Sequence, residues 1–131
     1  MRPGIVALLS CPLCREDLRQ DGLRLCCRQG HSFDIARQGY VNLLPGRGST
    51  TTADSAAMVA ARDSFLAAGH FARLRALLVE TVSEHLTSTT GPVLVDAGAG
   101  TGYYLSALLD HLPGARGLAL DLSTHASRRA A

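Results

Sequence analysis

The chain has 131 residues, is 47% apolar and 5% aromatic, and carries a formal net charge of +2 at pH 7. That length suits one ordinary domain, or a small module plus part of a larger one, and the apolar content excludes wholesale disorder. The small net charge names no partner by itself, but residues 1–47 hold seven Arg against four acids while the rest holds six Arg against seven acids.

In chain order, the first feature is a short apolar run, Ile5 to Leu9. It is too short to span a bilayer and lacks the longer apolar region and cleavage site of a signal peptide. No other segment spans a membrane, so the expectation is a soluble, cytoplasmic protein. In that compartment four Cys are expected as metal ligands or free thiols rather than disulfides. Residues 11–44 are rich in Cys and turn formers, with short apolar stretches at Leu23–Cys26 and Tyr40–Leu44. Two or three short strands around a metal fit that pattern. Residues 1–45 are taken as a zinc-binding module and residues 46–53, rich in Gly, Ser and Thr, as a flexible linker.

From Asp54 the pattern turns helical. Asp54 or Ser55 can cap a helix that carries Met58, Phe65 and Leu66 on one face and stops at Gly69. A second helix is expected over Phe71–Leu86, with Phe71, Leu74, Leu78 and Val82 at spacings of three and four. The stretch Thr87–Pro92 breaks it. Val93-Leu94-Val95-Asp96 then reads as a buried strand, Ala97–Gly102 as a Gly-rich turn, Tyr103–Leu112 as a helix, and Gly117–Leu122 as a second strand with Asp121 at its end. Strand, Gly-rich loop, helix, strand and acid make one βαβ unit of an open sheet. The fold class is therefore α/β: a small zinc-ribbon-like β module, then helices and an incomplete Rossmann-like unit over residues 54–131.

Two constellations carry chemistry. The first is Cys11-x2-Cys14-x12-Cys27-x3-His31. A Cys-x-x-Cys turn folds the backbone into a knuckle that offers two thiolates. Cys27 and His31 close an apparent hairpin, where Gly30 gives a permissive backbone. Three thiolates and an imidazole suit tetrahedral Zn²⁺, and a site with no open position is structural. Cys26 competes with Cys27, but adjacent strand residues face opposite sides. Cys27 is chosen, leaving Cys26 as a small core residue. The rival readings are ordinary thiols with a surface His, and a redox Cys-x-x-Cys pair. The redox reading lacks the strand-to-helix placement that such chemistry prefers.

The second constellation is Asp96-Ala97-Gly98-Ala99-Gly100-Thr101-Gly102 with Asp121. Gly98 and Gly100 let a ligand approach the backbone, and Gly102 is expected to let the helix pack on the strand. Asp121 is placed to accept hydrogen bonds from a ribose diol. With no Lys anywhere in the chain, a triphosphate-binding Gly-Lys-Ser/Thr loop is disfavoured. A ligand with a ribose and a cationic amino-acid part, such as S-adenosylmethionine, fits this loop. The bland alternative is a tight turn with no ligand.

These motifs together resemble the N-terminal part of the bacterial 23S rRNA (guanine-N1)-methyltransferases, a family that includes macrolide-resistance methyltransferases. The resemblance is carried by Cys11-Pro12-Leu13-Cys14, Cys27, His31-Ser32-Phe33-Asp34 and Gly39-Tyr40-Val41-Asn42-Leu43-Leu44-Pro45. It continues through Asp54-Ser55-Ala56, Ala61-Arg62, Phe65-Leu66, Ala68-Gly69-His70, the loop with Tyr103-Tyr104, and Leu120-Asp121-Leu122-Ser123. It implies a zinc module that grips an rRNA hairpin and a class I domain that binds S-adenosylmethionine, with a homodimer left open for the full-length family. By the same resemblance Cys11, Cys14, Cys27 and His31 are zinc ligands, Gly98, Ala99 and Gly100 with Asp96 form the cofactor loop, and Asp121 is the ribose acid. Phe71 stands next to the cofactor where the family usually has Tyr, so it keeps the ring and loses the hydroxyl.

A class I sheet needs about seven strands, and two are present. The expectation is a truncated product, partial gene or domain fragment with little methyl transfer of its own, and no catalytic residue is named. The alternative function is a non-enzymatic, zinc-dependent RNA-binding module in which Arg15, Arg19, Arg24, Arg28 and Arg37 meet phosphates. A zinc-ribbon module for a protein partner is a third option.

Overall fold

The computed structural model describes residues 4–46, 53–86 and 89–131, so most of the expected linker lies outside the described residues. The chain divides into two compact units, one running to Thr52 and the other spanning Ala53–Ala130.

The first unit opens with a single 3-10 turn, Val6–Leu8, from the short apolar run. Three short strands follow: β1 (Arg19–Asp21), β2 (Arg24–Cys26) and β3 (Ser32–Asp34). They form an antiparallel meander in which Leu25 pairs with both Gln20 and Phe33. Gly22, at φ 56°, makes the tight β1–β2 turn. The expected strand at Tyr40–Leu44 is reduced to one bridge between Ile35 and Val41. Asn42 explains this in part, because its side-chain oxygen accepts the Leu44 N–H and turns the backbone away from a ladder. The core is Cys11, Leu18, Leu25, Cys27 and Ile35, with Val6, Leu9, Phe33 and Val41 packed around it. Two of its five buried members are thiols, so the metal cluster and the hydrophobic core are one structure.

The second unit begins with α1 (Ala56–Ala67), capped by Ser55, whose hydroxyl accepts the Met58 N–H at 3.3 Å. Gly69 at φ 84° ends it as expected. Helix α2 (Ala72–His85) begins one residue after Phe71, which sits at its N-cap without a capping side chain. The expected inward faces of these helices are largely outward. Met58, Phe65, Phe71 and Leu74 are exposed, and Val59 is the buried residue of α1. A face set by 3.6-residue periodicity buries only where a neighbour covers it, and α2 meets the next helix, α3 (Tyr103–His111), with Arg75 over the Tyr103 ring at 4.7 Å.

Strands β4 (Val93–Ala97) and β5 (Arg116–Leu120) are parallel and in register from Val93–Arg116 to Ala97–Leu120, with α3 (Tyr103–His111) between them in sequence. Residues 124–130 form a further short helix, α4 (Thr124–Ala130), which carried no periodic signal. Among the described residues no helix is long and apolar enough to cross a membrane.

One glycine role differs from expectation. The close helix–strand approach occurs at Gly117, where an added Cβ would meet Leu109 Cδ1 at 2.8 Å and Leu105 Cδ2 at 3.2 Å. Gly102 instead caps α3 with a left-handed backbone, and its added Cβ would touch Ala130 at 3.4 Å. Gly117→Ala is therefore expected to destabilise the second unit by about 1–3 kcal/mol through overpacking, read as a lowered Tm in thermal unfolding.

Candidate metal centre and glycine loop

The knuckle at Cys11–Cys14 is closed by two backbone hydrogen bonds. Cys11 N–H donates to Glu16 O and Arg15 N–H donates to Cys11 O, both at 2.8 Å. Closure forces Arg15 to φ 64°, a left-handed backbone for a residue with a side chain. Sequence reasoning missed this position, since nothing about Arg marks it for positive φ. Opposite the knuckle, Cys27 and His31 bracket the β2–β3 turn. Cys27 N–H donates to His31 O and Gly30 N–H to Cys27 O, both at 3.1 Å, with Gly30 at φ 84°.

These two turns bring Cys11, Cys14, Cys27 and His31 together, with one ligand atom from each within 4.8 Å of the others. The Cys14–Cys27 sulfurs are 3.6 Å apart, and His31 Nδ1 lies 3.5 Å from Cys11 Sγ and 3.3 Å from Cys27 Sγ. A zinc tetrahedron with thiolates near 2.3 Å and imidazole near 2.0–2.1 Å has edges of about 3.8 Å between sulfurs and about 3.6 Å from sulfur to nitrogen. The measured separations match those edges. The residues therefore fit a single tetrahedral ion, with Nδ1 as the nitrogen facing it. Cys26 lies on β2, half-buried, and takes no part in the cluster.

The thiols are not equivalent. Burial pushes the Cys11 thiol up, but hydrogen bonds from the Leu13 and Cys14 backbone and the other thiols outweigh it and leave it lowered. Burial likewise raises Cys27, and hydrogen bonds from the His31 backbone and Cys14 bring it down. Cys14 receives a lowering backbone hydrogen bond at Glu16, yet burial and the neighbouring Cys11 and Cys27 push it up to about 11.

Cys14 is thus the last of the three thiols to give up its proton. A ligand must be deprotonated to bind zinc, so affinity rises with pH until Cys14 ionises at about 11. Where only that proton remains, affinity is expected to climb about tenfold per pH unit, and more steeply at lower pH, where Cys11 and Cys27 also hold protons. Competition with a chromophoric chelator across a pH series reads both slopes.

In the second unit, the loop after β4 folds back on the end of β5. Gly98 and Ala99 N–H groups both donate to Leu120 O, at 2.8 and 3.0 Å. Gly100 N–H donates to Asp121 Oδ2 at 2.8 Å, and Ser123 N–H donates to Asp121 Oδ1 at 2.7 Å. Gly98 and Gly100 have φ of 80° and 56°, and a Cβ added at either meets nothing within 4 Å. A side chain at either position would thus meet no neighbouring atom, though Ala99 and Gly100 are themselves buried. Asp96 stands half-buried on β4 opposite Ala119. The structure brings Gly98, Ala99, Gly100 and Asp121 together. Phe71 stands apart from that group: its ring packs at a tilt against Phe65, 5.8 Å away, and among the described residues no hydrogen bond or ring contact joins it to the loop.

Comparisons with known proteins bear on the zinc unit and on the chain as a whole. The family model for the RlmA N-terminal region, a zinc ribbon, matches residues 9–48. Residues 9–48 are thus similar to the zinc ribbon of that family. Along its full length it is 46% identical to a provisionally named 23S rRNA (guanine-N1)-methyltransferase of Micromonospora griseorubida, covering 50% of that protein. It is 44% identical over its full length to the 23S rRNA (guanine(748)-N1)-methyltransferase of Streptomyces fradiae, covering 46% of it. A similarly named protein of Bacillus subtilis is 30% identical over 78% of the chain, which covers 36% of that relative. The chain thus spans about half the length of the two nearer-matching relatives. The zinc-ribbon family and the Cys3His cluster together identify zinc as the metal of the first unit.

Proposed function

We propose that this chain carries the rRNA-recognition and donor-binding part of an S-adenosylmethionine-dependent 23S rRNA (guanine-N1)-methyltransferase. Cys11, Cys14, Cys27 and His31 hold the structural zinc that shapes the first unit. Gly98, Ala99 and Gly100 cradle the methyl donor, and Asp121 takes its ribose. The observation that carries this reading is the closure of the glycine loop onto Asp121 through the Gly100 N–H, which sets the loop and one carboxylate side by side. The donor supplies a methyl group on a sulfonium, and the accepting nitrogen belongs to guanine. The protein's work is then positioning and electrostatics rather than covalent catalysis. Acting on ribosomal RNA places the protein in the cytoplasm.

The rRNA partner is read as a hairpin gripped by the zinc unit. There, Arg24 is engaged by Asp34 at 3.2 Å, while Arg15, Arg19, Arg28 and Arg37 are exposed and make no ion pair among the described residues. Four phosphate contacts give a plot of log affinity against log salt with a slope of about −3 to −4. Fluorescence anisotropy with a 23S rRNA hairpin, repeated across salt concentrations, tests the RNA half, and a flat salt response counts against it. Calorimetric titration with S-adenosylmethionine tests the donor half, and absence of heat at millimolar ligand overturns it.

A further inference from the structure

Ser123 is 2% exposed, the buried polar side chain among the described residues, and no step so far uses it. Its hydroxyl donates to Asp54 O at 2.7 Å and accepts the Ala126 N–H at 3.3 Å, so it caps α4 while gripping the chain just before α1. Its backbone N–H holds Asp121 Oδ1 at 2.7 Å. Asp54 is itself fixed, because its carboxylate pairs with Arg62 on α1. Arg129 on α4 pairs with Asp63 on α1 and ties the same two helices a second time.

We propose that Ser123 is a positioning residue for the ribose-binding carboxylate, and that through it the backbone at Asp54 sets where Asp121 points. The proposal rests on the donor-site reading above. Asp121 has two oxygens and two backbone partners, Gly100 on the loop and Ser123 on the α4 cap. The loop partner belongs to the proposed ligand-binding backbone itself. The Ser123 partner is the fixed one, because the buried hydroxyl anchors it to two other segments. Deleting that hydroxyl removes the α4 cap and leaves the Asp54 carbonyl without its donor, so the Ser123 N–H loses its fixed position. The lone pairs of Asp121 that face the ribose lose their aim with it.

The test uses the full 131-residue chain with Ser123→Ala and Ser123→Thr, titrated calorimetrically with S-adenosylhomocysteine and with its 2′,3′-dideoxy analogue. Tm and helical circular dichroism are recorded for each variant. Ser123→Ala is expected to bind S-adenosylhomocysteine about tenfold more weakly, the equivalent of one lost hydrogen-bonding orientation. It is expected to bind the dideoxy analogue as the unsubstituted chain does, since that ligand has no diol for Asp121 to hold. Ser123→Thr keeps the hydroxyl and is expected to restore binding. Equal losses for both ligands would mean a general structural role and overturn the proposal, as would unchanged binding by Ser123→Ala. If Ser123→Ala does not fold, the Thr variant carries the same comparison, and a diol-specific loss despite its hydroxyl overturns the proposal. An unsubstituted chain that binds neither ligand refutes the donor-site reading itself, which is a separate outcome.

Discussion

Cys27→Ser is expected to strip the zinc and unfold the first unit, while the adjacent Cys26→Ser leaves zinc content unchanged. The asymmetry follows from the β2–β3 turn. Cys27 is 8% exposed, and its sulfur lies 3.6 Å from Cys14 Sγ and 3.3 Å from His31 Nδ1, whereas Cys26 stays on the strand outside the cluster. A serine oxygen is a harder and much more weakly acidic donor than a thiolate, so it fails as a zinc ligand at neutral pH. The loss is large because structural zinc contributes on the order of 10–16 kcal/mol to folding in small metal-stabilised units. Little else replaces it. Besides the two thiols, the buried apolar residues of this unit are Ile5, Leu18, Leu25 and Ile35. Four aliphatic side chains, at about 1.5–3 kcal/mol each, cannot order a unit of this length. Zinc per chain by plasma emission, and the dispersion of amide NMR signals, check the result. The helices of the second unit serve as an internal control, because they hold no zinc ligand. Retained zinc in Cys27→Ser, or lost zinc in Cys26→Ser, would assign the fourth ligand differently.

The two constellations differ in how legible they were. The metal cluster was readable because ligand spacing and turn chemistry are both local. Two residues between Cys11 and Cys14, and a Gly before His31, determine the turns that bring the ligands together. Only the long-range pairing of the two turns needed the fold. The βαβ unit was readable because the strand runs are continuous and the loop is marked by glycine. The helix faces were not. Met58, Phe65 and Leu74 carry a 3.6-residue signal, yet they stand exposed, and the rings that Phe65 meets, His70 and Phe71, leave it half open to solvent. Periodicity reports which face wants burial, and only tertiary contact decides whether it is buried. Gly117 escaped for a similar reason. Its role is a close approach to Leu109 and Leu105 from another element, which its own neighbours in sequence do not signal. Helix α4 is short, and Ser123 gives away its start only once the Ala126 N–H is seen on its hydroxyl.

Asp121→Asn is expected to cost the second unit about 1.5–3 kcal/mol and to abolish most donor affinity, although the two side chains are nearly the same shape. Both Asp121 oxygens accept backbone N–H groups, from Gly100 at 2.8 Å and Ser123 at 2.7 Å. Asparagine offers one oxygen and one NH₂ group. In either orientation the NH₂ faces an N–H donor, so one hydrogen bond becomes a donor–donor contact. If Gly100 loses its acceptor, the glycine loop loosens directly. If Ser123 loses it, the α4 cap moves away from the loop. The ribose diol, which needs an acceptor, finds one free lone pair on the remaining oxygen and an NH₂ donor where the second carboxylate oxygen stood. With each tenfold in affinity worth about 1.4 kcal/mol, losing a charge-assisted ribose contact together with loop order weakens binding about ten- to a hundredfold or more. Asp110→Asn, on the exposed face of α3, is the matched control and is expected to change neither Tm nor donor binding. Thermal unfolding followed by circular dichroism and calorimetric titration with S-adenosylhomocysteine give the two readouts. If Asp121→Asn lowers Tm and leaves donor affinity intact, Asp121 is a loop staple and the ribose is bound elsewhere. If it weakens binding and leaves Tm intact, the carboxylate serves the ligand and the loop holds without it. Both effects together, of the sizes given, are the outcome that follows from a carboxylate shared between the backbone and the ribose.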